Sequence, residues 1–134
     1  MNKLPKVTSS EEAVLTTLWN AGTPLSSSQI ITNAKNCTWK PSYTHLLLNS
    51  LLKKGLIRVA GFQQSSTNYA RVFEPTITQE EYTSFLLQKQ NPSPSTLTNI
   101  FAALIEKETD TAMIDELALL LEKKKKELEE KSEN

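Results

Sequence analysis

The chain of 134 residues balances 15 Lys and Arg against 15 Asp and Glu, with 38% apolar side chains, three Gly, one His and one Cys. At this size and composition it forms one globular domain, or one with a small appendage, and needs neither disulfide nor structural metal to hold a core. The single Cys excludes an internal disulfide, one His leaves no zinc ligand set, and three Gly leave no glycine-rich phosphate loop. Cys37 and His45, with His45 inside a leucine-rich helix, are poor material for a nucleophilic dyad, and the pairs Glu11/Glu12 and Glu80/Glu81 stand where helices start, favourably placed against the helix dipole. The expectation is a non-enzyme without a cofactor. Met1 to Lys6 is polar and Pro-interrupted where a secretory signal would be apolar, and no run approaches a membrane span, so a cytoplasmic protein without membrane contact is expected.

In chain order, Thr8-Ser9-Ser10-Glu11 fits a capping box, and Ala13, Val14, Leu15, Leu18 and Trp19 follow at helical spacing up to Ala21-Gly22. Ser26-Ser27-Ser28-Gln29 opens a second, short helix carrying Ile30, Ile31 and Ala34 to about Asn36. Pro41, with φ pre-set for a first helical position, begins a third that runs to Lys54 and stops at Gly55. Thr44, Leu47, Leu48, Leu51 and Leu52 form its apolar stripe, and Ser42, His45, Leu46, Asn49 and Lys53 its opposite face. After Gly55 the period becomes two. Leu56 to Ala60 and Tyr69 to Phe73 are predicted strands, joined by a polar loop from Gly61 to Asn68. Three short helices and a hairpin around a core anchored by Trp19 make a winged helix-turn-helix, a mainly α arrangement in which the third helix is offered to the major groove.

Glu74-Pro75 closes that pattern, which sets expected domains of 1–75 for nucleic-acid binding and 76–134 for assembly. Thr78-Gln79-Glu80-Glu81 caps a fourth helix bearing Tyr82, Phe85 and Leu86, and Gln90 to Ser95 is a Pro-rich linker. Two amphipathic helices follow. One carries Leu97, Ile100, Phe101, Leu104 and Ile105, the other Met113, Ile114, Leu117, Leu120, Leu121 and Leu128. Two such helices cannot hide each other's stripes. A homodimer held by Phe85, Leu97, Ile100, Phe101, Leu104, Ile114, Leu117 and Leu121 is the expected solution, with packing onto the winged domain of the same chain as the alternative. The Lys123 to Lys126 run, alternating afterwards with Glu, reads as a solvated helix end.

Charge divides along the same line. Residues 1–73 hold eight basic residues against Glu11 and Glu12, and the remainder holds seven against thirteen, so a neutral chain is +6 in one part and −6 in the other. The winged pattern lies in the positive part, which implies a polyanionic partner, double-stranded DNA. Lys53, Lys54, Arg58 and Arg71 are then candidates for phosphates, and Ser42, Tyr43, His45 and Asn49 for base edges. A winged-helix module that binds protein without sequence-specific DNA binding is the competing reading, favoured by Leu46 on the third helix's polar face.

Several short motifs resemble the penicillinase-repressor family of bacterial regulators, which includes methicillin-resistance and copper-responsive repressors. Val7-Thr8 with Glu11 and Trp19 is similar to the family's opening pattern, Trp39-Lys40-Pro41 to its Trp-Ser-Pro, and Leu51-Leu52-Lys53-Lys54-Gly55 to its helix end. Phe73-Glu74-Pro75 and Glu80-Glu81-Tyr82 resemble the segments that end its wing and begin its dimerisation helices. The resemblance spans about residues 7 to 121 and implies a dimeric repressor on a palindromic operator, relieved by proteolysis or by copper. This chain departs in three places. Pro41-Ser42-Tyr43 replaces the usual Pro-Lys-Thr, Ala102-Ala103 stands where the cleavable Asn-Phe bond would be, and no Cys follows Cys37, so the inducing signal and any sensor or protease partner are unassigned.

Overall fold

Capping chemistry decides where the helices begin. The computed structural model describes residues 4–35, 37–65 and 67–133; Lys3, Asn36 and Ser66, which entered the expectations for charge, for the second helix and for the loop, lie outside them. Thr8 Oγ1 accepts from the Glu11 N–H at 3.2 Å, and Glu11 Oε1 accepts in return from the Thr8 N–H at 2.9 Å, which starts α1 (Ser9–Ala21). Ser26 and Gln29 repeat the exchange at 3.3 and 2.9 Å and start α2 (Ser27–Asn33). The expectation carried α2 to about Asn36, but Ala34 is already extended. No large apolar residue follows before Trp39, so another turn would bury nothing.

Pro41 opens a single 3-10 turn, Pro41–Tyr43, before α3 (Thr44–Lys53). Lys40 supplies no side-chain cap there. Trp39 does the positioning, its Nε1 donating to Thr44 Oγ1 at 2.9 Å inside the core. At the far end Gly55 takes φ +75° and lets the Leu56 N–H reach the Leu51 carbonyl at 3.0 Å.

The sheet has three antiparallel strands in the order β1 (Leu25–Ser26), β3 (Asn68–Pro75), β2 (Ile57–Ser65). Two corrections follow. β1 is too short for any alternation to announce it, since it is made by pairing Leu25 with Phe73 and Ser26 with Val72. The long polar loop from Gly61 to Asn68 is in fact strand over most of its length, with Gln63 opposite Ala70 and Gln64 opposite Tyr69. Outside the core both faces of a hairpin meet solvent, so the ladder continues through polar residues without apolar alternation. A register shift between Val59 and Gly61 bends it there.

Val14, Leu15 and Leu18 of α1, Ile30 of α2, Leu47, Leu48 and Leu51 of α3, and Phe73 of β3 meet with Trp39 in one buried core. The buried tryptophan is Trp39, and not Trp19 as expected. Trp19 is only partly covered, at the margin, where its Nε1 donates to the Ile77 carbonyl at 2.9 Å and its ring lies 5.5 Å from that of Tyr82. Through these contacts and the Tyr82 hydroxyl, which donates to Glu12 Oε2 at 2.7 Å, α4 (Gln79–Lys89) is bound to α1.

By contact the chain separates into Met1–Lys89 and Gln90–Asn134, whereas the cut at 75/76 expected from sequence divides presumed roles. In the second unit Ser93 caps α5 (Pro94–Glu106), so the connection is shorter than Gln90 to Ser95, and α6 (Thr111–Glu133) follows. No residue from 90 to 132 is buried.

Candidate nucleic-acid interface

The stripe of α3 that faces the core leaves Ser42, Tyr43, His45, Leu46, Asn49 and Lys53 on the opposite side, and all six are exposed. Tyr43 and Leu46 are the large apolar members of that face. Between this face and β3 lies an open cleft of about 430 Å³, lined by Ser42 and His45 of the third-helix segment, Ala70 and Arg71 of the hairpin, and Ser26, Ser27 and Ser28 at the start of α2. Three groups proposed from sequence, Ser42, His45 and Arg71, are thus brought together. In sequence the serines read only as a helix cap, which Ser26 also is.

The four candidate phosphate ligands divide. Lys53 is exposed at the end of α3. Arg71 is exposed on the hairpin, its guanidinium carbon 5.2 Å from the centre of the Phe73 ring, an arrangement that steadies the side chain without consuming its charge. Arg58 Nε donates to Glu74 Oε1 at 2.7 Å across the hairpin. Lys54 points inward. Its Nζ donates to both oxygens of Glu11, at 2.7 and 2.9 Å, and to the Lys6 carbonyl at 2.7 Å.

Among the described residues Glu11 is the most strongly perturbed carboxyl. Burial works to raise its pKa, but donors from Lys54, Ser50 and Thr8 outweigh that and hold it at about 2. Ser50 Oγ donates to Glu11 Oε2 at 2.6 Å. This network ties the start of α1 to the end of α3, so its role is to set the angle at which α3 is presented. Cys37 is exposed. Its Sγ donates to the Trp39 carbonyl at 3.3 Å, just before α3.

In the second unit, Leu97, Ile100, Ile114 and Leu117 are half-buried, while Phe101, Leu104, Leu120 and Leu121 are exposed. Phe85 of α4 is half-buried in the first unit. Among the described residues no helix is long and apolar enough to cross a membrane, and no three His, Cys, Asp or Glu are grouped as a metal would require.

Three helices on one core, a third helix with a polar outer face and a hairpin wing beside it define a winged helix-turn-helix regulator. The family model described as the penicillinase repressor matches residues 7–123, and the chain belongs to that family. Membership makes it a transcriptional regulator. No curated protein matches the chain. Among solved structures it is similar to the adhesin competence repressor of Streptococcus pyogenes, at 14% identity and a TM-score of 0.40, over 92% of this chain and 82% of that one.

Proposed function

We propose that this regulator is a repressor that binds a palindromic DNA operator as a homodimer. The observation that carries the reading is the cleft between α3 and the hairpin, where Ser42, His45 and Arg71 meet in the half of the chain that holds eight basic residues against two acidic ones. Ser42, Tyr43, His45 and Asn49 are offered to base edges, and Lys53, Arg58 and Arg71 to phosphates. Lys54, engaged by Glu11, positions α3 and makes no phosphate contact in this reading.

The dimer rests on the second unit. Its two helices leave Phe101, Leu104, Leu120 and Leu121 more than half exposed, and apolar surface of that extent is stabilised by a second copy. Two-fold symmetry of the protein then requires two-fold symmetry of the operator.

The test is a titration of the full-length protein against the promoter fragment upstream of its own operon at several salt concentrations. With about six phosphates neutralised by the dimer, log K should fall against log salt with a slope near −5, at roughly 0.9 per phosphate. No binding at low salt, or a slope indistinguishable from zero, would show instead a winged helix that meets a protein through the exposed Leu46.

A further inference from the structure

Past the core, the hairpin carries large aromatic residues into solvent. Phe62 is 68% exposed and Tyr69 71% exposed, more than any other aromatic side chain among the described residues. Phe62 stands opposite Arg71 and Gln64 opposite Tyr69. Directly opposed residues share a face of the sheet, and so do residues two apart, which places Phe62, Gln64, Tyr69 and Arg71 on one side. It is also the side of Phe73, two residues beyond Arg71 and buried in the core. The stripe therefore starts in the core, passes Arg71 at the cleft beside Ser42 and His45, and ends in two uncovered rings.

The charge around the rings says what they meet. The hairpin has no Asp or Glu from Ile57 to Phe73, and its Glu74 is paired with Arg58 at the base, which leaves Arg71 as the cation on the side of the rings. Aromatic rings set beside a guanidinium, on a surface without carboxylates, complement a polyanion with planar bases and sugars inside it. The α3 face, meanwhile, has no Lys or Arg before Lys53 and spends one exposed position on Leu46. It offers few of the bidentate contacts by which a helix discriminates bases.

Resting on the DNA-binding reading above, we infer that Phe62 and Tyr69 are specificity-determining residues that enter the minor groove outside each half-site, packing on sugars and base edges at an easily deformed step. The wing thereby reads shape on the flanks while α3 reads the centre. An apolar wedge of this kind is favoured where a base step unstacks at low cost, so discrimination arises without hydrogen bonds to the bases.

The experiment selects binding sites from a random duplex pool with the full-length protein and with a Phe62→Ser, Tyr69→Ser double variant. Both side chains are exposed, so the variant keeps its fold, which a matching circular-dichroism melt verifies. The wild-type pool should be enriched in A·T pairs or pyrimidine–purine steps outside both half-sites. The variant should retain the centre and lose the flanks. On a wild-type-selected duplex its affinity should fall about tenfold, the order expected for losing base–aromatic packing, with the salt slope unchanged because no phosphate contact is removed. Replacing flanking A·T by inosine·cytosine, which keeps the minor-groove pattern and alters the major groove, should leave wild-type affinity intact. If the variant keeps the flank preference, or inosine·cytosine flanks weaken binding as G·C flanks do, the wedge is overturned while DNA binding stands. If no duplex is selected at all, both readings fall.

Discussion

Glu11 shows how a residue at a helix start acquires a second task from the fold. In sequence it is half of a capping box and a charge favourably placed against the α1 dipole, and its oxygens do accept from the Thr8 N–H. The fold adds Lys54 and Ser50 from the end of α3, 43 and 39 residues away. Its pKa is held at about 2 against an ordinary 4.5, so the network contributes fully above pH 4.5 and is lost as pH falls from there toward 2. Glu11→Gln should cost about 2 to 3 kcal/mol at neutral pH, since it leaves the Lys54 ammonium half-buried without its counter-charge. Chemical denaturation followed at pH 7 and pH 3 checks this, and the difference in stability between variant and wild type should shrink at the lower value. An unchanged difference would mean that the charge of Glu11 contributes nothing. On the outer face the expectation is divided by chemistry. Arg71→Ala should weaken binding to all duplexes alike and lower the salt slope, while His45→Ala or Asn49→Ala should change which sequence is preferred, as competition among selected duplexes would report.

At the scale of elements, what local chemistry announces and what it hides are clearly separated. The starts of α1, α2 and α4 are written in Thr8 with Glu11, Ser26 with Gln29, and Thr78 with Glu81, because a cap is made within four residues. The end of α3 is written in Gly55, the residue at φ +75°. Gly55→Ala should destabilise the first unit by roughly 1 kcal/mol through that left-handed backbone, although open space surrounds the position. A thermal melt measures it, and an unchanged midpoint would mean that the turn relaxes. Strand ends behave otherwise. β2 and β3 run on through Gln63, Gln64, Asn68 and Tyr69 because each residue is paired across the hairpin, and the pairing partner cannot be read from either strand alone. For the same reason Phe62 reads in sequence as part of a loop. Its placement on the face of Arg71 exists only once the register is known.

For the whole molecule, the consequential feature is the second unit, where no residue from 90 to 132 is buried. A second copy covering α5 and α6 predicts that Phe101→Asp with Leu117→Asp yields a monomer that keeps its winged unit and loses most of its DNA affinity, because one half-site contributes too little alone. Light scattering and near-UV circular dichroism, which reports Trp39 in the core, separate loss of assembly from loss of fold. A wild-type protein that is monomeric at micromolar concentration would refute the dimer. Regulation belongs to the same scale. With no Cys after Cys37 and no Asn-Phe bond at Ala102-Ala103, neither copper nor chelator should alter DNA binding. Stoichiometric copper uptake with loss of affinity would contradict that.

By itself the sequence determined the kind of protein this is. Two capped helices, a third opened by Pro41, a change of period from 3.6 to 2 after Gly55 and a charge division near Phe73 are local or compositional properties, and they are enough for a winged helix in a basic half. Only the tertiary structure decided which tryptophan is central, because Trp19, near the end of α1, and Trp39, just before the third-helix segment, are both large and apolar, and burial depends on what packs from the other side. It likewise withdrew Lys54 from the outer surface. In sequence Lys54 is one of two neighbouring lysines at a helix end. In the fold the Glu11 carboxylate, held 2.7 Å away by the capping turn of another helix, draws it inward and leaves Lys53 outside. Caps, periods and composition act within a few residues of chain and are legible there, whereas burial, register and charge pairing depend on segments that meet only when the chain has folded.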